Sequence, residues 1–318
     1  MSQSDLLGEI SGKEKRKLTF DEMIEHLEEK NIQFNLINKV EARQMLEYSN
    51  YLYKITAYRK NFEKSKHGKY NNLEFGILYD LATIDMRLRY LVLQMSLDIE
   101  HSIKTIILSD ITNNPNEDGY SIVRNFLAYT NETIDDYMHP MKWETHYNYG
   151  IYNKHHVNPP VWVLFEIITF GKFVKFVEFY SKTRDKRKYK DLEKVLKYVK
   201  NIRNSSAHNS PVLIDIAKIK QFSSPTATIT SFVRKVDSIT NESSRKRLSN
   251  RKTHDLTALL YVFDKYVKSK GIKDNRYKEL KLLLDRCLRY KDYYASNETL
   301  VAVYKFFSKI IDFLYKPK

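Results

Sequence analysis

Apolar residues recur three and four positions apart along most of the chain, the period of a helix face. Phe20, Met23, Ile24 and Leu27 open the pattern, and Thr19 with Glu22 three positions on has the capping-box spacing that starts a helix. A second helix is expected over 39–48. The longest stripe runs from Leu73 to about Asp110 through Leu81, Ile84, Leu88, Leu91, Met95, Ile99, Ile103 and Ile106, on one helix or a kinked pair. The polar stretches SKHGKYNN (65–72) and NNPNEDG (113–119) read as loops. Residues 120–158 are expected to form short helices rich in aromatic residues. Pro159-Pro160 then precedes an apolar helix over about 161–181, and Lys182–Lys190 is a basic linker or the start of the next helix. Leu192, Val195, Leu196, Val199 and Ile202 mark an amphipathic helix that runs into RNSSAHN. A further helical stretch follows Pro211, and three helical patterns fill 255–318.

Composition agrees with this reading. Gly (8) and Pro (7) together are under half of the roughly 12% usual in proteins, so little interrupts long helices. The expected fold is all-α: a helical bundle with N-terminal and C-terminal helical extensions. The expected organisation is a flexible basic lead (1–17), a main domain (18–236), a linker or mobile loop (237–254) and a C-terminal helical extension (255–318). No membrane contact is expected, because the most apolar run, Val161–Phe170, is ten residues long and contains Glu166, whereas a span needs about 20. The N-terminal stretch lacks the apolar segment of a secretory signal. The one cysteine, Cys287, excludes an intramolecular disulfide framework and a cysteine-based zinc site, and suits a reducing cytoplasm. No phosphate-binding P-loop, dinucleotide fingerprint or nucleophile elbow occurs.

The net charge of +15 is unevenly placed. Between Lys172 and Lys252 stand 21 Lys/Arg against 7 Asp/Glu. This is either a phosphate-binding surface for a nucleic acid or a solvated face balanced by acids elsewhere. Candidate RNA contacts are Lys186, Arg187, Lys188 and Lys190, then Arg245, Lys246, Arg247, Arg251 and Lys252 in SSRKRLSNRK (243–252). The latter run reads equally as an exposed loop. Tyr51, Tyr53 and Tyr58 are read as core residues before base-stacking ones. His139, His146, His155 and His156 fall close together without a cysteine or a standard ligand spacing, so no metal is expected.

The constellation that carries chemistry is Arg203-Asn204-Ser205-Ser206-Ala207-His208. A guanidinium holds a phosphate in a bidentate fork, and an imidazole moves protons near neutrality. RNA brings its own nucleophile, the ribose 2′-OH, so a proton acceptor, a proton donor and a cation for the developing charge suffice. With 16 Arg and 9 His in the chain, the bare pattern is not specific. Five helical residues turn 500°, which leaves Arg203 and His208 about 140° apart on an ideal helix, whereas Asn204 and His208 share a face. The alternatives are a dipole partner at the helix C-terminus for Arg203 and a capping or packed residue for His208.

These residues resemble the HEPN superfamily, helical proteins whose ribonuclease members carry R-x(4–6)-H with a polar residue after the Arg. Other blocks resemble its abortive-infection (Abi) branch: LTFDEMIEHL (18–27), the Tyr-rich NYLYKITAY (50–58), Asp85-Met86-Arg87-Leu88-Arg89 with Ile99 and Glu100, and Pro160, Trp162, Glu166, Thr169, Phe170 and Gly171. The order of these blocks before Arg203–His208 is far harder to meet by chance than any one of them. Nothing in 255–318 shares the resemblance. It implies metal-independent RNA cleavage, with no cofactor, at a site composed from two units. With a single R-x4-H, that means a homodimer. His208 is then general acid or base, Arg203 holds the scissile phosphate and stabilises the transition state, and Asn204 orients one of them or donates to the phosphate. Glu100 is expected to hold Arg203, or else to bridge internally to Arg87, Arg89 or Lys104. The implied role is a toxin-like phage-defence effector acting on RNA, with a resident small noncoding RNA as a possible partner. The other functions open to this sequence are a non-catalytic RNA-binding scaffold and a protein-interaction module.

Overall fold

Two reciprocal caps set the N-terminal layer. Thr19 and Glu22 start α1 (Phe20–Glu29), and Asn38 and Glu41 start α2 (Lys39–Tyr48), each side chain accepting from the other residue's backbone N–H. Arg16, 2.7 Å from Glu22, and the Thr19 amide hold the Glu22 carboxyl down to about 2. The computed structural model describes residues 16–183, 189–219 and 225–315, so the expected lead over 1–17 lies almost wholly outside the described residues. A two-residue strand, β1 (Ile32–Gln33), pairs in parallel with β2 (Leu73–Glu74). Between them lie α3 (Leu52–Ala57) and a 3₁₀ turn, Tyr58–Asn61.

The expected long stripe is one continuous helix, α4 (Phe75–Thr112), 38 residues and about 57 Å long. Short helices follow: α5 (Ser121–Thr130), α6 (Asp135–Met138) and α7 (Tyr149–His155). The apolar helix expected over 161–181 is two helices, α8 (Val161–Ile167) and α9 (Phe170–Thr183). Ile168 is extended, and the Thr169 hydroxyl accepts from Lys172 N, restarting the helix at an N-cap. The chain continues through α10 (Lys190–Ala207), α11 (Ala227–Val233), α12 (Asn241–Leu248), α13 (Arg251–Tyr266), α14 (Lys270–Cys287), α15 (Lys291–Tyr294) and α16 (Glu298–Leu314). The fold is thus all-α, a helical bundle with one minimal strand pair among the described residues. No helix among them is long and apolar enough to cross a membrane.

A large core gathers the C-terminal two-thirds of α4 with α5, α8–α11, α13, α14 and α16. Its centre is α10, whose Leu192, Val195, Leu196 and Val199 are fully buried and which packs on α4, α9 and α13. At the start of α10 the buried Tyr189 donates its hydroxyl to Asp110 Oδ2 at 2.5 Å, tying it to the end of α4. A second, smaller core joins α1, α2 and α3 to the first turns of α4, Phe75–Ala82.

Two sequence expectations are corrected here. Residues 237–254, expected as a linker or mobile loop, hold α12 and the first turn of α13, with Ser244, Arg247, Leu248, Thr253 and His254 buried. The helix in 251–266 is no appended extension: Ala258, Val262 and Phe263 are fully buried in the main core.

Gly119 closes the loop before α5 at φ +76° and gives its carbonyl to Val161 N. A Cβ there stands 2.5 Å from the Trp162 ring. Gly119→Ala therefore meets both left-handed strain and a clash, and is expected to cost about 1–3 kcal/mol, read as a lowered midpoint in urea unfolding.

Candidate functional site

The Arg203–His208 stretch is the last turn of α10, and the chain stops the helix there for local reasons. Asn209 adopts the left-handed conformation (φ +56°), which asparagine tolerates better than most side chains. Its N–H bonds Ser206 O at 3.1 Å, and Ser210 N–H bonds Ser205 O at 2.9 Å. These two bonds form a Schellman cap, and Pro211 follows where no further turn can be made. His208 is the C-cap residue itself; its ring is exposed and makes no hydrogen bond among the described residues. Arg203 is half-buried. It donates to Asn204 Oδ1 at 3.2 Å, and its guanidinium lies 5.9 Å from the centre of the Phe170 ring at the start of α9. Asn204 is half-buried as well. α10 is regular through Ala207, and His208 N still bonds Asn204 O at 3.0 Å. Helix geometry then keeps the Arg203 and His208 side chains well apart around the axis, while Asn204 and His208 stand one above the other.

The loop just beyond His208 is held by side chains from four other segments. Asp85, fully buried on α4, accepts from Val212 N at 2.7 Å and Leu213 N at 2.6 Å. Arg89, one turn on, stands 3.3 Å from Asp85 and donates to Asn209 O at 2.9 Å; Lys54 of α3 donates to the same oxygen at 3.1 Å. Asn61 donates to Leu213 O. Lys252 of α13 donates to Pro211 O and to Ile214 O, and Asn250 donates to Asp215 O and Lys218 O. Burial pushes the Asp85 carboxyl up, while the Leu213 amide and Arg89 pull it back. Burial and the neighbouring Arg89 lower Lys54, and burial beside Asp85 raises the Tyr58 phenol. The Asp85–Arg89 block and the Tyr-rich block, 120 and more residues away in sequence, thus meet at the turn that carries His208.

Other expected site residues fall elsewhere. Glu100 does not hold Arg203: it pairs with Lys104 one turn on at 2.8 Å. Lys104 in turn donates to Phe165 O at 2.5 Å, near the end of α8, and faces the Phe173 ring. A neighbour on the same helix at i+4 needs no rearrangement to reach, so Glu100 bonds locally. Arg247 is not a surface contact; it is buried, and burial lowers it. Lys252 is committed to the loop carbonyls. Arg251 is exposed and 3.9 Å from Asp255. Arg245, Lys246 and Lys190 are exposed, and Lys186, Arg187 and Lys188 lie outside the described residues. Tyr58 is buried in the smaller core, whereas Tyr51 and Tyr53 are exposed. His139 meets Lys142, His146 accepts from Asn148 N, and His156 bonds Tyr152 O. Among the described residues no group of three or more His, Cys, Asp or Glu is placed to hold a metal ion.

Sequence reading missed two cations. Lys190, Lys194 and Lys197 are exposed and form no ion pair among the described residues. With Asn201, Asn204 and His208 they step by 4, 3, 4, 3 and 4 along α10. Eighteen residues are five whole turns, so Lys190 and His208 lie on one line about 27 Å apart. The periodicity that placed the buried face of α10 also fixes this opposite one. A second missed feature is sealed: His254, fully buried, lies 3.2 Å from Asp255 Oδ1 and 3.2 Å from Thr226 Oγ1, and its ring meets Tyr198 edge-on. No substrate reaches it there, and it stitches α10, α11 and α13 together.

The loop network and the Arg203 side chain differ sharply in energetic weight. Asp85→Ala leaves Arg89 and Lys54 facing each other without their anion and is expected to destabilise by about 3–5 kcal/mol. Arg203→Ala removes a half-exposed contact and is expected to cost less than about 1 kcal/mol. Urea unfolding of the two variants checks the contrast.

Neither a curated protein nor a solved structure matches this chain. The family model described as Abi-like protein matches residues 44–213. The matched stretch begins in α2, contains the Tyr-rich segment, Asp85, Arg89, the α8–α9 break and Arg203–His208, and stops at Leu213, the last residue whose amide Asp85 holds. It spans more than half of the 318 residues, and the chain belongs to the Abi-like protein family.

Proposed function

We propose that this Abi-like protein is a HEPN-type, metal-independent endoribonuclease that serves abortive infection by cutting RNA. The observation that carries this reading is the face of α10: three exposed lysines, without an ion pair among the described residues, in line with Asn204 and an exposed imidazole. A phosphate backbone laid along that face meets Lys190, Lys194 and Lys197 and reaches His208 at the end of the track. His208 takes the 2′-OH proton or gives one to the leaving 5′ oxygen. A guanidinium neutralises charge on the phosphoryl oxygens in the transition state. Since Arg203 and His208 point apart on one helix, the arginine facing a given His208 comes from a second copy, and the working unit is a homodimer. Asn204, one turn before His208 and bonded to Arg203, orients that guanidinium. The same lysine track suits a resident noncoding RNA.

His208→Ala is expected to abolish cleavage of total RNA in EDTA while the circular dichroism spectrum and unfolding midpoint stay unchanged. Wild-type fragments end in 2′,3′-cyclic phosphate. Mixing His208→Ala with Arg203→Ala protein is expected to recover part of the activity, because a mixed dimer assembles one intact site. Full activity of folded His208→Ala overturns the assignment, and mixing without recovery removes the two-copy site. Replacing Lys190, Lys194 and Lys197 by Glu weakens RNA binding and reduces the slope of log affinity against log salt by about 2, as three phosphate contacts on a single strand require. Tight binding without fragments in the wild type points instead to the scaffold function.

A further inference from the structure

The long C-terminal helices do more than complete the bundle. α4, α13, α14 and α16 line a half-open cavity of about 610 Å³. It lies within the roughly 300–1,000 Å³ of small-molecule sites and is about four times an engineered cavity that takes up benzene.

The lining is aliphatic over most of its extent. α4 contributes Leu88 and Met95, α13 Leu260, α14 Leu284, and α16 Val303 and Ile311. These residues recur at helix spacing, so four apolar stripes face one interior. Two polar groups of the lining offer a ligand little charge: the Tyr294 hydroxyl donates to Asp80 at 2.9 Å, and burial pushes the Cys287 thiol up to about 12. A ligand with polar groups along its body would lose its water here without repayment. The lining also carries two cations, Lys291 and Lys305, both exposed and both without an ion pair among the described residues, with Asp292 the one acid there.

We propose that this cavity is a binding site for a free long-chain carboxylate, with the acyl chain between the four helices and the carboxylate at Lys291 and Lys305. An aliphatic interior whose lining carries two exposed lysines without an ion pair among the described residues matches a ligand that is apolar along its length and anionic at one end. The site is separate from the α10 face and stands whether or not the chain cuts RNA.

The test is fluorescence titration of the full-length chain with monomeric cis-parinaric acid, beside its methyl ester and phosphatidylglycerol vesicles. Saturable one-to-one binding of the acid, at least fivefold tighter than the ester, is expected. The double variant Lys291→Glu/Lys305→Glu should weaken the acid at least fivefold and leave the ester unchanged. Leu260→Trp fills the interior and should lower affinity more than tenfold; Leu283→Trp, placed at the half-buried edge, does the same where the first variant unfolds. Absence of saturable binding, equal affinity for acid and ester, unchanged affinity in the filled variants, or capture by vesicles alone overturns the proposal.

Discussion

One buried carboxylate organises this molecule. Asp85 sits on α4 where the smaller and larger cores meet, and it spends one oxygen on two consecutive backbone amides of the loop that follows α10. An ion in that place is costly unless its surroundings answer it with charge and hydrogen bonds. Arg89 supplies the charge, and Arg89 and Lys54 both go on to grip Asn209 O. The cations therefore serve two acceptors at once, and neither the anion nor the turn holds its place without the other. The result is that the exposed ring of His208 stands on a turn bonded to α3, α4 and α13, not on a free loop. Leu213, whose amide belongs to this network, also lines the cavity among the C-terminal helices.

What was legible in the sequence was what depends on near neighbours. The Thr19–Glu22 pair, the stripe along α4 and the apolar face of α10 each lie within a few residues of what they determine, so spacing alone placed them. The break between α8 and α9 was not placed, since Ile167 and Ile168 continue the apolar run and only Thr169 signals a new start. Residues 237–254 were misread for a related reason. Five cations in ten residues look like a solvated loop, but Arg247 is buried and Lys252 reaches back to the carbonyls of Pro211 and Ile214. Those acceptors lie about forty residues upstream, beyond any local window.

The candidate site divides in the same way. Arg203, Asn204 and His208 were found by their pattern, and the structure puts them at a helix end with the histidine exposed. The expected link to Glu100 was not found, because a carboxylate facing Lys104 one turn away is satisfied at home. Lys194 and Lys197 do not stand out in net charge over eighty residues; they line up only when α10 is read turn by turn.

The uninterrupted length of α4 has a mechanical consequence. Its first turns belong to the smaller core and its later turns to the larger, and no proline or bulge separates the two. A rod of this kind transmits bending and torsion without a hinge, so the N-terminal layer and the bundle cannot rock against each other at their junction. Melting of the smaller core has to fray the rod from one end, toward the residue that anchors the α10 turn. The two halves are in this sense a single cooperative unit, whose slack lies at the periphery and not at the seam.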